Sequence, residues 1–229
     1  MTRSRSGFLG AAGFVFVACT VLAAPPPMLK GWGQAADPDG DCRFEQKDGK
    51  LTIRVPGTLH NLVADSGQVN APTVLSPVKG EFIAMVKAAG GVRPGPECSV
   101  PDGLPYNGTG LLLWVDRDNY FRLERAGLMR DGAFITYVNF EHFKEGRRTF
   151  SQGAGLQDLP THLRLERRGE NIYASAGHDG VHWTPFPPLE VRLPDEVKIG
   201  VAAVNSSTKP FTAELEGLTV FTRRDVQSR

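Results

Sequence analysis

Apolar and polar residues alternate with a period of two in short runs along this chain, and no stretch sustains a helical period. In "LTIRV", Leu51, Ile53 and Val55 alternate with Thr52 and Arg54. In "YFRLER", Phe121 and Leu123 oppose Tyr120, Arg122 and Glu124, and "HLRLER" sets Leu163 and Leu165 against His162, Arg164 and Glu166. "VKIGVAAV" alternates from Val197 to Ala203, and "FTAELEGLTVF" alternates through Leu215 before slipping at Gly217. Further strands are expected around 81–87, 110–116, 134–143 and 171–177. Gly, Pro and Asp punctuate the runs. Such a chain folds as an all-β sandwich or barrel of antiparallel sheets, not as an α/β domain. The shared Arg-Leu-Glu-Arg of "RLERAG" and "RLERRG" reads as two strands of one sheet meeting the same in/out demand. The longest structureless segment is the Gly- and Pro-rich stretch 90–108.

The ends read differently. Arg3 and Arg5 precede the apolar run "GFLGAAGFVFVACTVL", which is short and Gly-rich for a membrane span. Residues 1–23 therefore read as a signal peptide cleaved after Ala23, which implies export to the periplasm or beyond the cell. A rival reading makes Cys19 the lipidated residue of a lipoprotein box. Residues 24–31 read as a Pro-rich linker, 32–222 as one sandwich domain, and 223–229 as a tail. Without Arg3 and Arg5, the 26 Lys and Arg come within one of the 25 Asp and Glu. A near-neutral domain has no field to attract nucleic acid or anionic membrane, and no basic patch with interleaved aromatics is present.

"ADPDGDC" sets Asp37, Asp39 and Asp41 at alternate positions, the opening spacing of a calcium loop. Counting from Asp37, the sixth residue is Cys42 where such a loop needs Gly, and the twelfth is Asp48 where it needs Glu. The stretch reads as a turn, with the three aspartates a weak metal candidate, and no cofactor is expected. Cys42 and Cys98 read more readily as a disulfide than as metal ligands in an exported chain, although their spacing leaves the geometry undecided. In "GHDGVHW", Asp179-Gly180 suits a two-residue hairpin turn, which would aim His178 and His182 to opposite faces.

Hydrolase signatures are missing, including the G-x-S-x-G elbow. Glu124 and Glu166 stand singly on their strands beside arginines, which suits ion pairs better than a general acid. They remain the catalytic candidates if the protein is an enzyme. With Phe121, Leu123, Leu163 and Leu165 turned to the core, the opposite face would carry Tyr120, Arg122, Glu124, Arg164 and Glu166. Trp114 would join from the preceding strand, and Tyr137, Asn139 and Glu141 from the following one. Aromatic rings beside planar hydrogen-bonding groups suit a sugar. The alternative is a solvated lattice of ion pairs with Trp114 in the core. Three functions follow: a glycan-binding domain, a glycoside or keto-sugar hydrolase on the same face, or a structural cell-surface module.

Taken together, "DPDGDC", "VPGTLHNL", "NAPTVLSPVKGEF", "GLLLWVDRDNYFRLERA", "LRLERRG" and "HDGVHW" resemble the regulation-of-enolase family of the concanavalin A-like lectin/glucanase superfamily. The likeness runs from about Trp32 to Phe221. It implies a jelly-roll sandwich of two antiparallel sheets, with ligands lying across a concave sheet. The paired-carboxylate strand motif of the superfamily's glucanases is absent, which weighs against an enzyme.

Overall fold

A computed structural model describes residues 27–222 of the chain. The export leader, the Cys19 alternative and the C-terminal tail lie outside the described residues. Met28–Leu29, read from sequence as part of a linker, instead forms a strand.

The fold is a sandwich of two large antiparallel sheets. In spatial order the first holds β1 (Met28–Leu29), β2 (Gly33–Ala36), β7 (Thr73–Lys79), β17 (Glu196–Asn205), β9 (Tyr106–Asp116), β10 (Asn119–Arg130), β11 (Ala133–Lys144) and β12 (Arg147–Gly155). The second holds β15 (Thr184–Pro185), β14 (Asn171–Gly177), β13 (Thr161–Arg168), β8 (Phe82–Ala88), β18 (Phe211–Thr222), β4 (Lys50–Val55) and β3 (Arg43–Lys47). β16 (Leu189–Glu190) also pairs with β14, and β5 (Leu62–Val63) pairs with β6 (Gln68–Val69) as a separate small ribbon. No helix among the described residues is long and apolar enough to cross a membrane.

The alternating residues do what their period requires. Phe121 and Leu123 of β10 pack in one core with Leu163 and Leu165 of β13, together with Leu51, Ile53, Val201 and Leu215. Each buried side chain of this size contributes about 1.5–3 kcal/mol, so the interface between the sheets is the main stabilising feature. The slip expected at Gly217 is present: Gly217 has φ 64° and the β18–β8 register shifts between Glu216 and Thr219.

Two expectations fail. The Arg-Leu-Glu-Arg strands β10 and β13 lie in different sheets. They share a pattern because they face one core from opposite sides, so their polar residues point to opposite outer surfaces. The Asp179-Gly180 hairpin is also wider than two residues: β14 and β15 pair as Ala176 with Thr184, leaving 178–183 as a loop. Asp179 organises that loop by accepting from the backbone N–H of Val181 (2.9 Å) and His182 (2.8 Å).

The first sheet has a second apolar cluster on its outer face. Segment 58–71, containing β5 and β6, folds over that face and packs Leu62 and Ala71 on Leu112, Tyr120, Phe143, Ala202 and Val204. A polar cluster on the same strands lies beside it.

Candidate functional site

Strands β10 and β11 build this polar cluster. Their register sets Arg122 opposite Glu141 and Glu124 opposite Asn139, and all four are buried. Arg122 Nε donates to Glu141 Oε2 at 2.5 Å and stands 3.5 Å from Glu124 Oε1, which caps the separation of those two oxygens at about 6 Å. Glu141 Oε1 accepts from Arg148 Nη1 (3.1 Å) and Ser151 Oγ (3.0 Å), both on β12. The Tyr106 hydroxyl donates to Glu124 Oε1. Gly108 makes room for this arrangement, since a Cβ there would meet Glu124 Oε2 at 2.7 Å. Arg122 Nη1 is closed off from solvent and has no partner among the described residues.

The environments of the two carboxylates push their protonation apart. Burial raises Glu124, and Arg122 only partly offsets it while Glu141 adds to it. Burial would also raise Glu141, but Arg122 and Arg148 outweigh it and hold Glu141 below the ordinary carboxylate range. Burial, followed by the charge of Glu124, pushes Tyr137 up to about 12. A carboxyl whose hold on its proton is strengthened beside one whose hold is weakened inclines the pair toward separate donor and acceptor roles.

The expected face is therefore only partly assembled. Arg122, Glu124, Asn139 and Glu141 come together, with Tyr137 half-buried at their edge. Tyr120 is no exposed platform: it is completely buried, stacked on Phe143 (4.6 Å) and Trp114 (5.4 Å), and its hydroxyl oxygen accepts from Ala64 N at 3.2 Å. Segment 58–71 is the cause. Trp114 keeps partial exposure at the edge of this stack. Arg164 and Glu166 belong to the outer face of the other sheet, where Glu166 pairs with Arg164 (2.9 Å) and with Arg168. Glu124 and Glu166 thus lie on the outer faces of different sheets, and the carboxylate that stands beside Glu124 is Glu141.

Tyr106, Arg148 and Ser151 were missed. Tyr106 heads a strand whose alternation is masked by Gly108 and Gly110, and "RRTFSQGAG" of β12 is too polar on both faces to read as a strand.

Cys42 and Cys98 are free thiols, correcting the expected bridge. Cys42 sits among carboxylates, whereas Cys98 pairs with Ser207 across an isolated bridge. Of the three aspartates, Asp37 and Asp41 converge with Cys42 and His60, while Asp39 accepts from Asn70 Nδ2 at 2.6 Å and stands 3.7 Å from His60 Nε2. His178 and His182 do not converge: His178 Nδ1 contacts the Pro160 carbonyl and His182 Nδ1 contacts Asp179.

No known family profile and no curated protein matches the chain. Solved structures share its fold. A functionally unknown protein from Saccharomyces cerevisiae is 14% identical with a TM-score of 0.62, over 83% of this chain and 96% of that one. The GH43 BlXynB protein from Bacillus licheniformis is 12% identical with a TM-score of 0.59. That match covers 81% of this chain but only 35% of the GH43 chain, so the likeness spans about a third of that protein. A legume lectin-like domain from Entamoeba histolytica is 9% identical with a TM-score of 0.50, over 79% and 87% of the two chains. These likenesses and the two antiparallel sheets make the fold an all-β sandwich, the class that the sequence implied.

Proposed function

We propose that this protein is an exported carbohydrate-binding domain, of the regulation-of-enolase type, that recognises a glycan on the outer face of its first sheet. The observation that carries the reading is the buried cluster of Arg122, Glu124, Asn139 and Glu141, in which Arg122 Nη1 has no protein partner. Nearly all buried donors are satisfied, so an orphaned guanidinium nitrogen in this polar cluster suits a ligand oxygen. Tyr106 and Tyr137 flank it with half-buried rings, a suitable stacking surface for a sugar. The likeness to a legume lectin-like domain supports the reading at the level of fold. Arg3, Arg5 and the apolar run after them support export.

A glycan array probed with the full chain tests this. Binding to one class of polysaccharide is expected, weakened at least about tenfold in Tyr137→Ala, the equivalent of about 1.4 kcal/mol. Tyr137 is half-buried at the edge, so its truncation leaves the core intact. Absence of binding to every glycan overturns the reading.

One observation favours hydrolysis on the same face. Two carboxylates within about 6 Å, with protonation pushed in opposite directions, match the acid and nucleophile of a retaining glycosidase. Sugar release from a bound polysaccharide that is lost in Glu141→Gln would establish it.

A further inference from the structure

The turn 37–42 carries the chain from β2 of one sheet to β3 of the other. Its Asp37, Asp41 and Cys42 meet His60, and one ligand atom from each of the four lies within 4.8 Å of the others. His60 Nε2 is 2.8 Å from Asp41 Oδ1, and Cys42 Sγ is 3.7 Å from the same oxygen. A tetrahedral zinc with bonds of about 2.0–2.3 Å holds its ligand atoms about 3.3–3.8 Å apart, so small rotations bring this set to coordination distance.

Two further observations show that the set is aimed at a cation. His60 is completely buried, and its Nδ1 lies 3.2 Å from the Thr58 carbonyl oxygen. That contact holds the ring with Nε2 turned toward the carboxylates of Asp41 (2.8 Å) and Asp39 (3.7 Å), the orientation a metal-bound imidazole takes. Asp37 Oδ2 accepts from the Cys42 backbone N–H at 2.7 Å, but Asp37 Oδ1 is closed off from solvent with no partner among the described residues. A cation among the four ligand atoms would meet both the Asp41 carboxylate and the unpartnered Asp37 Oδ1.

We propose that Asp37, Asp41, Cys42 and His60 form a closed zinc site that pins the sheet-crossing turn to the root of segment 58–71. One imidazole, one thiolate and two carboxylates suit zinc, whereas calcium and magnesium take oxygen donors alone. Four protein ligands leave no open position, which makes the site structural. Asp39 supports it from outside: its carboxylate holds Asn70, which also donates to the Leu59 carbonyl at 2.8 Å beside His60. Burial, then the charges of Asp37 and Asp41, push the Cys42 thiol up, so zinc must displace its proton to solvent and affinity rises with pH.

The test uses the full chain carrying Cys19→Ser and Cys98→Ser, which leaves Cys42 as its sole cysteine. Titration with cobalt(II) is expected to give a near-ultraviolet thiolate-to-cobalt band that saturates at one equivalent and is displaced by zinc. Zinc should raise the thermal midpoint by several degrees, growing with the logarithm of free zinc. Asp37→Asn, on the turn, should weaken binding at least about tenfold while the protein stays folded, and Cys42→Ser should abolish the band. No band at stoichiometric cobalt, or a band and affinity unchanged by Asp37→Asn, overturns the proposal.

Discussion

Arg122 and Glu141 face each other directly across β10 and β11, joined Nε to Oε2 at 2.5 Å, and each is less than a tenth exposed. Truncating either partner strands a buried charge, which costs about 3–5 kcal/mol. Arg122→Ala should sit at the upper end, because it leaves both Glu124 and Glu141 without their shared cation. Arg122→Met combined with Glu141→Leu should recover much of that loss, since it removes both members of the pair and burial already favours the neutral form of Glu124. Urea unfolding of Arg122→Met, Glu141→Leu and the double variant measures the difference. A double variant as unstable as the sum of the singles would refute the coupling.

The sandwich itself was legible because period-two alternation records a buried face, and β4, β10, β13 and β17 each present one. Alternation reports a strand's faces but not its sheet, which is why β10 and β13 looked like neighbours. β12 escaped notice because it is a polar edge strand with little to bury.

His142 sets a pH dependence of stability. Its ring is buried against Phe121, with centroids 4.1 Å apart, and burial, aided by Lys144, holds its pKa down to about 4 from 6.5. As pH falls below 6.5 the unfolded chain binds a proton that the folded chain refuses, so stability drops until about pH 4 and is flat below. The loss is about 3 kcal/mol at most. Other groups titrate in the same range, so the measurement is the difference between the native protein and His142→Gln. That difference should shrink as pH falls from 6.5 to 4; a constant difference would contradict the assignment.

Half of the candidate site could be read from sequence, and the reason is again geometric. Arg122, Glu124, Asn139 and Glu141 lie on consecutive strands joined by a tight turn, so their shared face follows from parity. His60 lies 19 residues beyond Asp41 and meets it only through the β17 end, where His60 and Asn205 exchange backbone hydrogen bonds of 2.8 and 2.9 Å. No local pattern encodes that approach. The covering segment was equally hidden, since Leu62 and Ala71 bury themselves on an outer face that alternation marks as solvated.

Tyr120 ties that covering segment down. Its hydroxyl oxygen accepts the Ala64 N–H at 3.2 Å, inside an otherwise apolar cluster. Tyr120→Phe keeps the ring stacking on Phe143 and removes this one bond, so it should cost about 1 kcal/mol. The effect should be local. Hydrogen exchange at Ala64 and its neighbours should accelerate about five- to tenfold while strands β9 and β10 keep their protection. Uniform acceleration across both sheets would show instead that the segment unfolds only with the whole domain.

Two glycines should respond to alanine for opposite reasons. Gly217 sits at the β18 bulge with φ 64°, and nothing lies within 4 Å of the place a Cβ would take. Only left-handed backbone strain opposes a side chain there, about 1–2 kcal/mol for Gly217→Ala and less for Gly217→Asn, which tolerates that conformation. Gly200 has an ordinary backbone, but a Cβ would fall 2.0 Å from the Val74 carbonyl oxygen on the paired strand β7. The strands would have to part, with loss of ladder bonds between β17 and β7 next to the covering segment. Gly200→Ala should therefore exceed Gly217→Ala in cost by about 2 kcal/mol or more. Comparing the unfolding midpoints of the three variants checks this, and equal losses for the two alanines would show that backbone strain, not space, governs both positions.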